Sequence, residues 1–410
     1  MFAVAGFRPL FGSYVLTSVG DMLAKLALTV LVYERTGSPL LSALTFAVSY
    51  LPWVVGGPLL ATLADRFPRQ RVMVVGDLAR AALVATMAVP GMPLPALLVL
   101  LLLVSVAGPP YEAARSALTA DVLDGDRYAV ATSLAGIVQQ LAQVVGFLLG
   151  GVLVTALSPS LGLLLNATTF ALAGLWLVLG LDPEPVPDRD DEGAGSAWAD
   201  VLAGVRLVLT RPRLLAIVGL LWVGMLVVNA HEGIAPALSD QLAGDQTLVG
   251  VVLAAQPAGA VLGGVVVGRF CPPRLRERLV GPLVVLSVGA LALAGLAVRL
   301  LPEPAAAPVF VVLLAVCGVG SAWMIPLNVA FVQAVPPAVR GRAFGVAIAG
   351  LSAVQGLGAL AAGAGAVLLT PTDVVALTGL VGLPLVVVPL MALLRTRPPA
   401  VPALAGPSGT

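Results

Sequence analysis

Long continuous apolar runs separated by short polar segments dominate the chain. A helix that crosses the hydrocarbon core of a bilayer needs roughly 20 apolar residues. Twelve runs reach about that length, at approximately 10–33, 39–63, 72–90, 94–118, 129–156, 160–181, 212–238, 247–268, 279–300, 306–333, 342–369 and 373–394. The runs do not alternate with a period of two, and backbone groups in lipid must be hydrogen-bonded internally. We therefore predict an all-α membrane protein with twelve transmembrane helices.

A polar, proline-containing segment interrupts this pattern at 182–211, with six runs on each side. Its first part reads as a solvated linker, and 198–209 has the apolar spacing of a short interfacial helix. The predicted domains follow in chain order: a six-helix bundle at 1–183, a cytoplasmic linker at 184–211, a second six-helix bundle at 212–397 and a cytoplasmic tail at 398–410.

Composition supports a membrane protein. The chain is 59% hydrophobic and 10% charged, whereas about a quarter of the residues in soluble domains are charged. The mean hydropathy is +1.04. We expect a lipid bilayer around the chain and no nucleic-acid partner. Lys25 is the sole lysine beside abundant arginine, alanine, glycine and valine, which is typical of a GC-rich bacterial genome.

Positive charge is distributed unevenly between the two ends of the predicted spans. If the amino terminus is cytoplasmic, only Arg35 and Arg299 fall outside. The seventeen arginines that then fall inside are Arg8, Arg66, Arg69, Arg71, Arg127, Arg189, Arg206, Arg211, Arg213, Arg269, Arg274, Arg276, Arg278, Arg340, Arg342, Arg395 and Arg397. This bias satisfies the positive-inside rule. It predicts a multi-pass protein of the bacterial inner membrane with both termini in the cytoplasm.

The two halves repeat features in parallel. Arg8–Pro9 opens the first span and Arg211–Pro212 opens the seventh. Basic segments follow the second and eighth spans at 63–71 and 268–276. Such repeats, related by an axis along the membrane normal, are typical of transporters built from two six-helix bundles.

The loop after the second span carries an acid and three arginines, Asp65, Arg66, Arg69 and Arg71. The segment from Gly57 to Val72 resembles the loop motif between the second and third helices of the major facilitator superfamily, which consists of twelve-helix secondary transporters. The resemblance implies the major facilitator fold.

The same resemblance implies a conformational lock between the two halves. Asp65 would meet the start of the eleventh span near Arg342, and Arg69 would pair with Asp121 at the inner end of the fourth span. A solvated cluster that only fixes topology is the alternative interpretation.

The stretch from Phe7 to Arg80 is similar to the subgroup that contains macrolide and siderophore exporters. The similarity rests on the segments 8–12, 33–38 and 77–81, together with Gly20–Asp21. It implies proton-coupled efflux of an amphipathic small molecule, with protons as the second partner. Uptake, sodium coupling, or a membrane sensor or assembly partner of the same fold are the alternatives.

Charged residues inside the bilayer are costly and are functional candidates by default. Asp21 and Lys25 lie one helical turn apart in the first span, so each can neutralise the other. One interpretation is a structural ion pair. The other makes Asp21 a proton-binding or substrate-binding carboxylate beside a lysine.

Two further pairs belong to the same group of candidates. Glu112 and Arg115 follow Gly108-Pro109-Pro110, which should distort the fourth helix, and they form either a gate or a structural clamp. His231 and Glu232 in the seventh span could relay protons. If that span ends early, both residues would instead be solvated at its outer mouth.

Other polar and aromatic residues could line a cavity or form interhelical contacts: Tyr14, Gln139, Gln140, Gln143, Asn166, Trp222, Asn229, Trp323, Asn328 and Gln355. The sole lysine lies within a span, so an ATP-binding glycine-rich loop that ends in lysine cannot form. Neither the single histidine nor the two cysteines have the spacing of metal ligands. We expect no cofactor, no metal site and no enzyme activity, and we expect a monomer.

Overall fold

The computed structural model describes residues 4, 6–55, 67–123, 125–181, 197–336 and 339–396. The helices of the first half are α1 (Phe7–Thr36), α2 (Pro39–Val55), α3 (Arg69–Met87), α4 (Leu94–Val106), α5 (Gly108–Val122), α6 (Gly125–Ala156) and α7 (Pro159–Gly180). After α8 (Ala197–Thr210), the second half contains α9 (Pro212–Val228), α10 (Ala235–Ala243), α11 (Val249–Phe270), α12 (Pro273–Leu300), α13 (Glu303–Gly320), α14 (Met324–Ala334), α15 (Arg340–Leu368) and α16 (Pro371–Arg395).

Every predicted span corresponds to one helix or to a broken helix. Ten of them are long and apolar enough to cross a membrane. The second, α2, is apolar, but the end predicted for it at residue 63 lies outside the described residues. The third, α3, is more polar because it carries Arg69, Arg71, Asp77 and Arg80. The predicted all-α membrane fold is confirmed.

Within the residues that the structure describes, three spans are interrupted. The fourth breaks at Ala107 between α4 and α5, where Pro109 and Pro110 occupy the first turn of the new helix. Proline suits a first turn, whose N–H groups have no partner within the helix, but it cannot continue an existing one. The predicted distortion is therefore confirmed. The seventh and tenth spans pass through short 3₁₀ turns at Ala230–Ile234 and Ser321–Trp323.

Successive spans run in opposite directions, so the molecule has two ends. We call the end where α1 and α9 begin and where α8 lies the linker end. The opposite end, where α1 finishes at Thr36 and α16 begins at Pro371, is the far end. The predicted linker helix is present as α8, and it packs against α15: a Cβ added to Gly204 would lie 2.8 Å from the carbonyl oxygen of Arg342.

The two halves contact each other closely at the far end. A Cβ added to Gly250 of α11 would lie 2.6 Å from the carbonyl oxygen of Phe147 and 2.7 Å from the Cα of Gly151, both in α6. Similarly, a Cβ on Gly363 of α15 would come within 2.5 Å of the Ala43 side chain in α2. Small residues let membrane helices approach backbone to backbone in this way. The far end is therefore closed.

Candidate functional site

A cavity of about 1420 Å³ lies between the two halves and is lined by both of them. Its wall reaches Lys25 and Tyr50 toward the far end. At the other extreme it includes Thr132 in the first two turns of α6 and Phe344 in the second turn of α15. The cavity therefore extends from the closed far end to the linker end, and it is the place where a small molecule could bind between the halves.

Charge is distributed unevenly around this cavity. Six charged side chains belong to its wall, and the second half contributes only Glu232. The first half contributes the other five, Asp21, Lys25, Arg80, Glu112 and Arg115. Five of the six were singled out from the sequence, and the structure brings them all to one cavity. Arg80 entered the sequence analysis only as the end of the stretch that carries the family resemblance.

Asp21 and Lys25 act on each other electrostatically, but they form no ion pair among the described residues, so the structural ion pair is not found. Lys25 Nζ instead donates a hydrogen bond of 3.2 Å to the hydroxyl of Tyr50. It also lies over two aromatic rings, 4.4 Å from the centroid of Tyr50 and 4.8 Å from that of Phe46. Tyr50 and Phe46 on α2 compete with Asp21 for the ammonium group of Lys25. Cation–π contacts with desolvated rings are favourable.

Asp21 lies in the cavity wall together with a cation from another helix. Arg80 of α3 is the leading positive charge acting on its carboxylate, ahead of Lys25. The guanidinium of Arg80 lies over the rings of Tyr111, at 5.1 Å, and Phe170, at 5.4 Å. Asp21 therefore faces the cavity beside an arginine that is anchored by aromatic rings.

Asp77, on the same helix as Arg80, was missed as a site residue. It is 0% exposed, and neither carboxyl oxygen has a hydrogen-bond partner. The sequence did contain a signal: an acid and an arginine three residues apart inside an apolar span.

Glu112 and Arg115 form the predicted pair. Arg115 donates from Nε to Glu112 at 3.0 Å and from a second nitrogen to the other carboxylate oxygen, in a two-point ion pair. The guanidinium also lies 4.1 Å from the ring centroid of Tyr14, whose hydroxyl is 3.2 Å from Gln139 of α6. The pair thus connects α5 to α1 and α6 at the cavity wall.

The alternative in which His231 and Glu232 are solvated at an outer mouth is wrong, although α9 does end early, at Val228. The 3₁₀ turn carries both residues into the contact between the halves. His231 is 2% exposed, and its Nδ1 lies 2.9 Å from the carbonyl oxygen of Val228. Glu232 lines the cavity, whereas His231 does not.

The loop cluster is only partly described. Arg69 pairs with Asp121, which is the contact that the family resemblance implied. Both side chains are partly exposed at the linker end, and Arg71, two residues after Arg69, is exposed. Asp65 and Arg66 lie outside the described residues, so the contact of Asp65 near Arg342 stays a prediction.

Most of the polar residues suggested as cavity lining do line it: Tyr14, Gln139, Gln140, Gln143, Asn166, Asn229, Asn328 and Gln355. The two tryptophans do not. Trp323 is fully buried, and Trp222 donates from its indole N–H to the carbonyl oxygen of Ala347 at 3.0 Å. Within the described ranges, no group of three or more histidine, cysteine, aspartate or glutamate side chains could hold a metal ion.

Two six-helix halves around a central cavity define the class as a multi-pass membrane transporter. The sequence profile of the Major Facilitator Superfamily matches residues 10–337 and 225–409. The chain belongs to this family. It is 27% identical over 349 residues to the uncharacterized MFS-type transporter YfiS of Bacillus subtilis (strain 168), with 83% of this chain and 82% of that protein covered.

Solved structures show the same fold at low sequence identity. A POT family transporter in complex with a thioalcohol-conjugated peptide is 14% identical, with a TM-score of 0.73 over 96% of this chain and 97% of that one. A bacterial homologue of the human lysosomal transporter Spinster, in an inward-facing and unoccupied conformation, is 15% identical, with a TM-score of 0.67 over 95% of both chains. The predicted major facilitator fold is confirmed.

Proposed function

We propose that this transporter exports an amphipathic small molecule in exchange for protons by alternating access. The observation that carries the proposal is the cavity between the halves, closed by backbone contacts at the far end and reaching the linker end. A secondary carrier needs a single central site that opens to one side at a time.

The charge bias supports an orientation in which the linker end faces the cytoplasm of a bacterial inner membrane. Fourteen arginines of the described residues flank the spans at that end, and the sequence pattern predicts Arg66, Arg189 and Arg397 on the same side, as the positive-inside rule requires. Both termini and the linker are then cytoplasmic, and the described conformation is inward-facing. A substrate would enter the cavity from the cytoplasm, which is the arrangement expected of an exporter before it binds its substrate.

The cavity wall supports an amphipathic substrate of the drug, macrolide or siderophore class. Apolar side chains such as Met22, Phe147 and Leu351 share the wall with glutamines and asparagines. Ligand sites of this kind bury apolar surface and use a few polar groups for orientation. The cavity is complete within one chain, which supports a monomer as the working unit.

Protons are the proposed coupling ion. Asp21 faces the cavity beside Arg80, whereas the other acid of that wall in the first half, Glu112, is engaged by Arg115 in a two-point ion pair. A carboxylate that is not held in an ion pair is better placed to gain and lose a proton during the cycle. Asp21 is therefore the proposed coupling residue, with Glu232 of the second half as the reserve.

The Arg69–Asp121 pair supports the proposed inner lock. It ties the start of α3 to the end of α5 within the first half, and so fixes the position of the preceding loop. Asp65 would then meet the start of α15 when the linker end closes. In the described conformation the cavity reaches the linker end, so this contact belongs to the opposite, outward-facing state.

Reconstitution into liposomes with a trapped pH dye tests the proposal. A panel should contain a macrolide, a hydroxamate siderophore and a lipophilic cationic dye, each presented at the linker end under an imposed pH difference. We expect at least one compound to move against its gradient with proton movement in the opposite direction. Accumulation driven by sodium alone, movement in the same direction as protons, or no movement of any compound would contradict proton-coupled efflux.

A further inference from the structure

Behind the cavity wall, α3 holds an acid and an arginine that do not pair with each other. Asp77 is 0% exposed and Arg80 is 5% exposed. Neither carboxyl oxygen of Asp77 accepts a hydrogen bond, and Nε of Arg80 has no acceptor. Neither residue takes part in the ion pairs Arg69–Asp121, Arg115–Glu112 and Arg299–Asp373. An acid and a base one turn apart in the protein interior are thus held separate.

Arg80 is held away from Asp77 by aromatic rings. Its guanidinium lies over Tyr111 of α5 and Phe170 of α7, where cation–π attraction replaces part of the lost hydration. Arg80 lines the cavity, and Asp77 does not. Asp21, on the cavity side, interacts electrostatically with both Arg80 and Asp77. One arginine therefore acts on two acids, one facing the cavity and one buried behind it.

The titratable groups around Asp77 are few. The helices packed against α3 are α4, α5 and α7. Helices α4 and α7 contain no ionisable residue, and α7 approaches Asp77 through Gly174. From α5, Tyr111 interacts with Asp77 electrostatically. Together with Asp21 and Arg80, Tyr111 completes the titratable groups that act on Asp77 among the described residues, and Arg80 is the one cation in that group.

A buried carboxyl group without a hydrogen-bond donor or an ion-pair partner is far less costly as the neutral acid than as the carboxylate. We propose that Asp77 holds a proton in the described, far-end-closed state and that Arg80 controls its release. When Arg80 leaves the rings and pairs with Asp77, one proton passes from Asp77 to Asp21 and then to water in the cavity. Arg80 stays cationic throughout. The inference rests on the proposed proton coupling and names the group that stores the proton.

Infrared spectroscopy of the purified wild-type chain in lipid nanodiscs at neutral pH tests this inference without substrate. We expect a protonated-carboxyl C=O band that shifts on labelling with ¹³C-aspartate. Asp77→Asn should remove it. Glu112→Gln is the matched control, because it deletes an acid of the same cluster that is ion-paired with Arg115, and it should leave the band unchanged. Asp21→Asn should also retain the band.

Three results would overturn the inference: no aspartate band in the wild type, a band that survives Asp77→Asn, or a band lost in Asp21→Asn. If Asp77→Asn cannot be purified, retention of the band in Asp21→Asn supports Asp77, the buried aspartate that remains among the described residues. This readout is independent of transport. An Asp77 band in a chain that moves no protons in liposomes would contradict the proposed coupling while supporting the protonated Asp77.

Discussion

Lys25 Nζ lies 3.2 Å from the hydroxyl of Tyr50, and this hydrogen bond joins the first span to the second near the closed far end. The same ammonium group interacts electrostatically with Glu232 of the second half. Both Lys25 and Glu232 line the cavity. A single lysine therefore joins two helices of one half by a hydrogen bond and attracts the acid on the 3₁₀ turn of the other half.

Lys25→Met should weaken closure of the far end, because it keeps most of the apolar stem and removes the charge that faces Glu232. Each 1 kcal/mol lost changes the ratio of two conformations about fivefold. We expect a membrane-impermeant thiol reagent, added at the far end, to label Ser42→Cys several times faster in this background. Ser42 is a fitting reporter because it is buried and donates to the carbonyl oxygen of Gly233 at 3.2 Å.

Arg35→Met is the matched control for that experiment. Arg35 is also a far-end cation, but it donates to the carbonyl oxygen of Met92 within its own half. Both variants should be made with Cys271 and Cys317 replaced. Equal labelling rates in the Lys25 and Arg35 variants would show that Lys25 does not hold the halves together.

Gly250→Ala should impair transport by preventing close contact between α6 and α11. The new Cβ would lie 2.6 Å from the carbonyl oxygen of Phe147 and 2.7 Å from the Cα of Gly151, so backbone must move. We expect transport to fall about tenfold or more, which corresponds to about 1.4 kcal/mol or more. Gly268→Ala in the same helix is the control, since a Cβ there meets nothing within 4 Å. Equal rates for both variants would refute tight closure.

The sequence predicted the architecture well because long apolar runs and proline positions depend on local physical chemistry. The broken fourth helix follows from Pro109 and Pro110 alone. Partner choice inside the bundle was harder to predict. Lys25 and Asp21 are neighbours on one helix, but Lys25 forms a hydrogen bond with Tyr50 and a cation–π contact with Phe46, both on α2. Which acid meets which cation depends on helix rotation and packing, and hydropathy does not report those.

Asp77 is a second case in which the sequence does not predict the ion-pair partner. An acid three residues from an arginine on a helix predicts an ion pair, as is found for Glu112 and Arg115. In α3 the guanidinium of Arg80 instead lies over the rings of Tyr111 and Phe170. Those rings come from two other helices, so the unpaired state of Asp77 appears only once the bundle is assembled.

Chemical labelling of introduced cysteines tests the orientation of the chain in the membrane directly. Residue 190 belongs to the predicted linker at 184–211, which we predict to be cytoplasmic because the sequence pattern puts seventeen arginines on that side. A cysteine introduced there should react with an impermeant maleimide only after cells are permeabilised. A cysteine at Gly244, between α10 and α11 at the far end, should react in intact cells. Labelling of residue 190 in intact cells would reverse the topology and the proposed direction of transport.

Asp65→Asn and Arg69→Ala should slow turnover severely while folding and ligand binding remain nearly normal. The Arg69–Asp121 pair is partly exposed, with the Asp121 side chain 50% accessible, and such pairs contribute about 0–1 kcal/mol to stability. A large transport defect at equal expression would therefore reflect the conformational cycle and not unfolding. Arg274→Ala, an exposed arginine at the linker end, is the control. Wild-type transport in both lock variants would leave the cluster with a purely topological role.

Asp21→Asn should abolish transport driven by a pH difference and spare exchange of substrate at equal concentration on both sides. Exchange needs the halves to rock around a bound substrate, whereas accumulation also needs a group that gains and loses a proton in each cycle. Asp21 lines the cavity with Arg80 and is not held in an ion pair.

Glu112→Gln is the contrasting variant, because Arg115 engages Glu112 in a two-point ion pair. Removing the Glu112 carboxylate should loosen α5 from Tyr14 and so lower both activities in parallel. Proteoliposomes with a trapped pH dye measure both modes in one preparation. Accumulation that persists in Asp21→Asn and disappears in a Glu232→Gln variant would move the coupling site to the second half.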